Sequence, residues 1–254
     1  MSGAAPANEW DAHWEAFAAA AALSPAQRFR RRLVLSALAP GQGTLRVLDI
    51  GSGQGDLAAD LRLRYPEAEV RGIDYSASGV EIASRRVPGA TFIVHDLVDS
   101  EEPPAGLDGW ASHAVCCEVL EHVDDPRRLL VNARRCLAPG CRLVVTVPGG
   151  PMSAFDRHIG HRRHFTAAAL HGLLEEAGYR VEHVTTAGFP VFNLYRLVVI
   201  ARGERLAEDV ARRREAPASP AARVAMAVFR ALLTANVSVG PWGWQIVGVA
   251  RTPG

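Results

Sequence analysis

Three carboxylates and a cluster of glycines stand where this chain could do chemistry. The stretch LRVLDIGSGQGD, residues 45–56, runs apolar up to Asp49 and then sets Gly51, Gly53 and Gly55 around Ser52. Each interior glycine costs conformational entropy, so this run marks a backbone that turns sharply or lies against a ligand. A later apolar run ends in GIDYS, with Asp74 and Tyr75, and another ends in HDL, with Asp96 and Leu97. Glycines that let backbone N–H groups approach a ligand, followed by a helix start, favour bound negative charge or a nucleoside. A carboxylate at the end of the next strand can take both hydroxyls of a ribose. These features fit any adenosine-bearing cofactor.

A second set of residues offers acid, base and ligand chemistry. CCEVLEHVDDP (116–126) holds Cys117, Glu118 and His122, and FDRHIGHRRHFT (155–166) holds Asp156, Arg157, His158, His161, Arg162, Arg163 and His164. Such groups can supply a base near neutral pH, clamp an anion through arginine forks, or ligate a metal through HxxHxxH. No metal is expected, because no acidic ligand motif accompanies the imidazoles.

These residues need a scaffold, and the apolar runs supply one. Strand-like segments at 45–50, 68–74, 90–96, 111–119, 141–148 and 179–187 alternate with helical segments at 54–65, 76–87, 125–137 and 166–178. That is the pattern of a parallel sheet with helical crossovers. Ser76 is placed to cap the second of those helices, and Ser24 with Pro25 to start an earlier one through residue 38. The expected fold is α/β: a Rossmann-like, doubly wound, seven-stranded sheet with an N-terminal helical cap and a helical insertion before the last strand. The divisions are a cap over 1–40, a cofactor-binding core over 41–188, a helical insertion over 189–242 and a last strand within 243–254. Trp10, Trp14 and Phe17 share one face of the first helix, and either cover the acceptor pocket or pack in the core.

Composition narrows the partners. The chain has 254 residues, 48% of them hydrophobic, and a net charge of +1, so no global field points to nucleic acid. Every basic residue is arginine, which excludes a lysine Schiff base and a lysine-bearing phosphate loop. Cys116, Cys117, Cys136 and Cys141 show no CxxC spacing and read as free core thiols. The start lacks a basic region followed by an apolar core, and the apolar runs are short. A cytoplasmic protein without stable membrane insertion is the expectation.

Details of the loop separate a dinucleotide from S-adenosylmethionine. The sixth position from Gly51 is Asp56, so the pattern is GxGxG rather than GxGxxG. Asp49 would repel a pyrophosphate but suits the ammonium of a methionine moiety, and Asp96 is placed to meet an adenine amino group. The chain resembles the class I S-adenosylmethionine-dependent methyltransferases. VLDIGSGQGD, GIDYS, HDL, CCEVLEHVDDP and LAPGCRLVVTVP are similar to that family's motifs and follow its order. EVLEHV is most like the branch holding ubiquinone and menaquinone biosynthetic and other small-molecule methyltransferases. The resemblance implies that Asp49, Gly51 and Gly53 face the methionine end, with Ser52 and Gly55 cofactor-binding in the same loop. It gives Asp74 to the ribose, places Tyr75 beside it among the cofactor-binding residues, and gives Asp96 with the Leu97 backbone to the adenine. Cys117 and Glu118 would line the cofactor beside the sulfonium. His122, His158 and His161 are then the candidate acceptor-facing, catalytic residues. A small-molecule acceptor methylated at oxygen or nitrogen is expected, anionic or phenolic compounds coming first. The alternatives are a non-catalytic S-adenosylmethionine-binding protein and an NAD-type oxidoreductase. The 189–242 segment packs on the sheet edge, or forms a lid, a homodimer surface or a membrane-surface patch.

Overall fold

The computed structural model describes Asp11 and residues 24–212, 220–235 and 240–254. Trp10, Trp14, Phe17 and most of the EAPASP linker lie outside the described residues. Seven strands form one sheet: β1 (Arg46–Ile50), β2 (Glu69–Asp74), β3 (Thr91–Val94), β4 (Ala111–Cys117), β5 (Leu137–Pro148), β6 (Arg180–Ala187) and β7 (Gln245–Arg251). Their order is β3-β2-β1-β4-β5-β7-β6. Strands β1 to β5 pair in parallel, whereas β7 runs antiparallel to both β5 and β6. The sheet is therefore mixed, and the parallel pattern read from the sequence stops short of its last strand.

Alternation of side chains explains why these runs are nearly continuous in apolar residues. In β1, Val47 packs on one face while Leu48 and Ile50 pack on the other, and in β5 Val144 opposes Leu143 and Val145. Successive residues point to opposite faces, and both faces are covered, so neither set can be polar. One face is closed by α1 (Pro25–Leu38), α2 (Asp56–Arg64), α7 (Val191–Arg212) and α8 (Pro220–Ala235), through Phe29, Leu33, Leu61, Phe192 and Leu233. The other is closed by α4 (Pro126–Ala133) and α6 (Ala167–Glu176), through Leu129, Leu130, Leu170 and Leu174. Helix α3 (Ala77–Arg86) starts at Ser76, whose hydroxyl accepts the Gly79 N–H at 3.1 Å as expected. Ser24 sits at the start of α1, but its side chain makes no capping hydrogen bond, and Pro25 alone marks the first turn.

Three local differences from the sequence reading bear on the site. A 3-10 turn (Arg134–Cys136) ends α4, and β5 begins at Leu137, earlier than the apolar run suggested. A short helix α5 (Ala154–His158) precedes the histidine-rich loop, closed by a capping box between Ser153 and Asp156. The chain enters β7 through Gly243, where a Cβ would lie 2.0 Å from the Ala187 carbonyl oxygen. Only glycine lets the two backbones pass that closely. Among the described residues no helix is long and apolar enough to cross a membrane.

Candidate active site

The carboxyl ends of β1, β2 and β4 meet where the strand order turns outward in both directions from β1, the place where open α/β sheets bind ligands. A cavity of about 710 Å³ opens there. Gly51 turns the chain out of β1 at φ +71°, and a Cβ at this position would stand 2.4 Å from Val119 Cγ2. The left-handed backbone and the missing side chain are both required at that residue. Gly53 donates its N–H to Asp74 Oδ2 at 2.7 Å, and Ser76 donates its N–H to Asp74 Oδ1 at 2.8 Å. Each oxygen keeps a lone pair for a further donor, the requirement for a vicinal diol.

Asp49 is the exceptional acid of this half. It is buried, its Oδ2 has no hydrogen-bond partner among the described residues, and it lines the cavity. Burial, reinforced by the nearby Asp74 and Asp56 charges, pushes its carboxyl up to about 7. Such a group awaits a cation. Burial likewise raises Asp74, and backbone N–H groups of Ser76 and Gly53 partly offset that. Asp96 Oδ1 accepts the Val98 N–H at 2.7 Å and the Asp99 N–H at 3.1 Å, which fixes the loop carrying Leu97. Tyr75 stands half exposed at the mouth.

The other half of the cavity is built from β4, α1, the loop after α5, and α7. Glu118 leaves β4 with φ +59°, a left-handed backbone that a glutamate rarely adopts. Its N–H is held by the Thr146 carbonyl at 3.0 Å. Its carboxylate lies 2.9 Å from Arg30 Nε and accepts Gln245 Nε2 at 2.8 Å, while the Arg30 N–H points to Gln245 Oε1 at 2.9 Å. Glu118 is thus clamped between α1 and β7. Burial, with the Glu118 charge, pushes the Cys117 thiol up to about 12, and Thr146 Oγ1 donates to its sulfur at 3.2 Å. The thiol stays neutral and lines the cavity without reacting.

Past the turn at Glu118 come Glu121 and His122. Glu121 is fully buried, and neither carboxyl oxygen has a hydrogen bond among the described residues. His122 meets His161 edge-on, their ring centroids 4.7 Å apart. His161 Nδ1 lies 3.2 Å from His164 Nε2, and His164 Nδ1 lies 3.0 Å from the Gly150 carbonyl. A carbonyl only accepts, so the proton of His164 sits on Nδ1 and its Nε2 accepts from His161. This assignment leaves the lone pair of His161 on Nε2. Burial and the facing His122 push His161 down to about 2, so its ring is neutral. The loop is anchored from below by Asp156, whose two oxygens take the Arg196 guanidinium at 2.8 and 2.7 Å. Burial alone would raise the Asp156 carboxyl, but the Arg196 fork and the Ser153 N–H hold it well below the usual carboxylate range.

Most of the residues singled out in the sequence line this one cavity: Asp49, Gly51, Ser52 and Gly53 from the loop, then Asp74, Tyr75, Asp96 and Leu97. Cys117, Glu118, His122 and His161 line it as well. Two do not. Gly55 starts α2 at φ +81° with a virtual Cβ 3.1 Å from Ala83 and Val87, so it serves the packing of α2 on α3. His158 is exposed at the end of α5, away from the lining. Sequence reading passed over Glu121, Arg30, Gln245 and Arg196. Glu121 stood inside the quoted EVLEHV, and its place three residues after Glu118 and beside His122 was the available signal.

A family model described as a methyltransferase domain matches residues 23–184. The ubiquinone/menaquinone biosynthesis C-methyltransferase UbiE of Desulfotalea psychrophila is 36% identical over 118 residues, 46% of this chain and 46% of that protein. The match thus spans about half the length of that relative. The demethylmenaquinone methyltransferase of Thermus thermophilus is 31% identical over 181 residues, 69% of this chain and 80% of that protein. Phosphoethanolamine N-methyltransferase 2 of Haemonchus contortus, solved with S-adenosyl-L-methionine, shares the fold at TM-score 0.58 and 19% identity, covering 91% of this chain and 54% of that one. With the motif order and the sheet in agreement, the chain belongs to the class I methyltransferase-domain family, whose methyl donor is S-adenosylmethionine.

Proposed function

We propose that this protein methylates a small molecule at oxygen or nitrogen, with anionic and phenolic compounds the first acceptors to test. The observation that carries the reading is one continuous cavity of about 710 Å³ with two unlike ends. That volume is in the range of sites that enclose drug-sized ligands. The residues present fit the donor: an orphaned buried carboxylate at Asp49, a glycine turn without room for a side chain, and a doubly supported Asp74. Bound there, S-adenosylmethionine supplies a methyl group already activated by its sulfonium. Asp49 would hold the ammonium, Asp74 the ribose hydroxyls, and Asp96 with the Leu97 backbone the adenine.

The protein's remaining work is alignment and exclusion of water. Tyr195, Val199, Met226 and Phe229 line the cavity from α7 and α8, which supports a lid role for these helices. His122 and His161 line the acceptor end and would position the nucleophilic atom of the acceptor. Incubation with methyl-labelled S-adenosylmethionine and panels of phenols, carboxylates and amines tests this. Label is expected in a low-molecular-weight product. His161→Ala should lower turnover by about 100-fold, through lost alignment of the acceptor, while S-adenosylhomocysteine still binds. Label found only in protein or RNA would overturn the small-molecule reading.

A further inference from the structure

No metal is expected from the sequence at the histidine-rich loop, because no acidic ligand motif accompanies its imidazoles. The fold brings one. Glu121 is 0% exposed, lines the cavity, and has both carboxyl oxygens without a hydrogen bond among the described residues. One ligand atom each from Glu121, His122 and His161 falls within 4.8 Å of the other two. Glu121 Oε1 stands 3.9 Å from His122 Nε2, and the His122 and His161 rings are nearly perpendicular at 89°. A buried carboxylate that stays ionised is paired, hydrogen-bonded or bound to metal, and one left alone takes up a proton instead. Two imidazoles and a carboxylate gathered this closely make up the donor set of open, catalytic-type metal centres.

We propose that Glu121, His122 and His161 bind a divalent first-row transition-metal cation at the acceptor end of the cavity, leaving coordination positions open toward it. The outer contacts support the assignment. His161 donates its Nδ1–H to His164, which is in turn fixed by the Gly150 carbonyl, so its Nε2 is presented as a ligand. Asp156, His161 and His164 also converge, but both Asp156 oxygens are engaged by Arg196. The first set is therefore the site. Two nitrogen donors favour a transition metal over magnesium or calcium, which prefer oxygen. The role of the cation rests on the methyltransferase reading: it would orient an oxygen-bearing acceptor in its open positions.

The test uses the full-length protein after chelator treatment. It is dialysed against Co²⁺ or Zn²⁺, with metal content measured by mass spectrometry, Co²⁺ absorption recorded, and S-adenosylhomocysteine titrated into the same samples. One equivalent of metal is expected, with ligand-field bands of nitrogen and oxygen coordination. Glu121→Gln and His161→Ala should each weaken binding by at least about 100-fold. His164→Ala should cost about 10–100-fold, as outer partners of metal ligands do. His171→Ala, on the exposed face of α6, should change nothing. S-adenosylhomocysteine binding by each variant shows that it is folded. Absence of stoichiometric metal in a protein that binds S-adenosylhomocysteine would overturn the site and leave the methyltransferase reading standing. Metal binding unaffected by Glu121→Gln would also overturn it, whereas metal bound without S-adenosylhomocysteine would strike the methyltransferase reading instead. An ammonium-bearing acceptor held by Glu121 in metal-free protein would overturn the proposal in favour of amine recognition.

Discussion

Asp49 carries a cost in the empty protein that a cationic ligand would relieve. Its carboxyl is raised from 3.8 to about 7 by burial, so the folded chain binds more protons than the unfolded chain between those values. Stability from this group is present below the unfolded value and is lost as pH rises through about 7. Asp49→Asn should therefore raise the melting temperature of the ligand-free protein at pH 8, by about 2–4 °C for each kcal/mol relieved. The same change should weaken S-adenosylmethionine binding, because an amide cannot pair with an ammonium. In the wild type, affinity should fall about tenfold per pH unit as pH drops below about 7, a trend absent from the variant. A calorimetric pH series on both proteins checks this. Asp49 and Asp74 were legible in the sequence because each ends an apolar strand, where a carboxylate has no packing reason to be. The place of Glu121 beside His122 was legible as well, but its orphaned state was not, since the chain reaches it through a left-handed turn at Glu118, a conformation that favours glycine.

Among the elements, the α5–α7 junction and the glycine turn carry the site. Arg196 on α7 and Asp156 on α5 form a buried, bidentate ion pair that holds the histidine loop from below. Arg196→Met should cost roughly 3–5 kcal/mol, because it strands a buried carboxylate. Urea unfolding of the variant reads that loss, and a cost within 0.5 kcal/mol, about that of an ordinary surface change, would contradict the anchoring role. Gly51→Ala meets a different obstacle. The left-handed backbone alone costs roughly 1–2 kcal/mol, and Val119 must also shift, so cofactor affinity should drop with stability. The strand and helix succession up to β6 was readable from hydrophobic runs and caps such as Ser76. The antiparallel entry of β7 between β5 and β6 was not, because direction depends on the return path through Gly243 rather than on the apolar pattern of QIVGVAR. Helix α5 escaped notice because it is short and is defined by the Ser153–Asp156 box instead of periodicity.

At the scale of the molecule, the sheet brings three strand-end acids to one end of a cavity and the buried His161 with the partly buried His122 to the other, with α1, α7 and α8 closing it. The proposed cofactor half follows local motifs, so it could be read residue by residue. The proposed acceptor half joins β4, α1, β7 and the loop after α5, and it exists only once the chain has folded. The central claim is that the cavity recognises S-adenosylmethionine. Calorimetric titration of the purified protein with S-adenosylmethionine, S-adenosylhomocysteine and NADH tests it most directly. Saturable binding of the two sulfur ligands, with NADH inert, is the predicted result. Binding of NADH alone would contradict the assignment of Asp49 and the glycine turn.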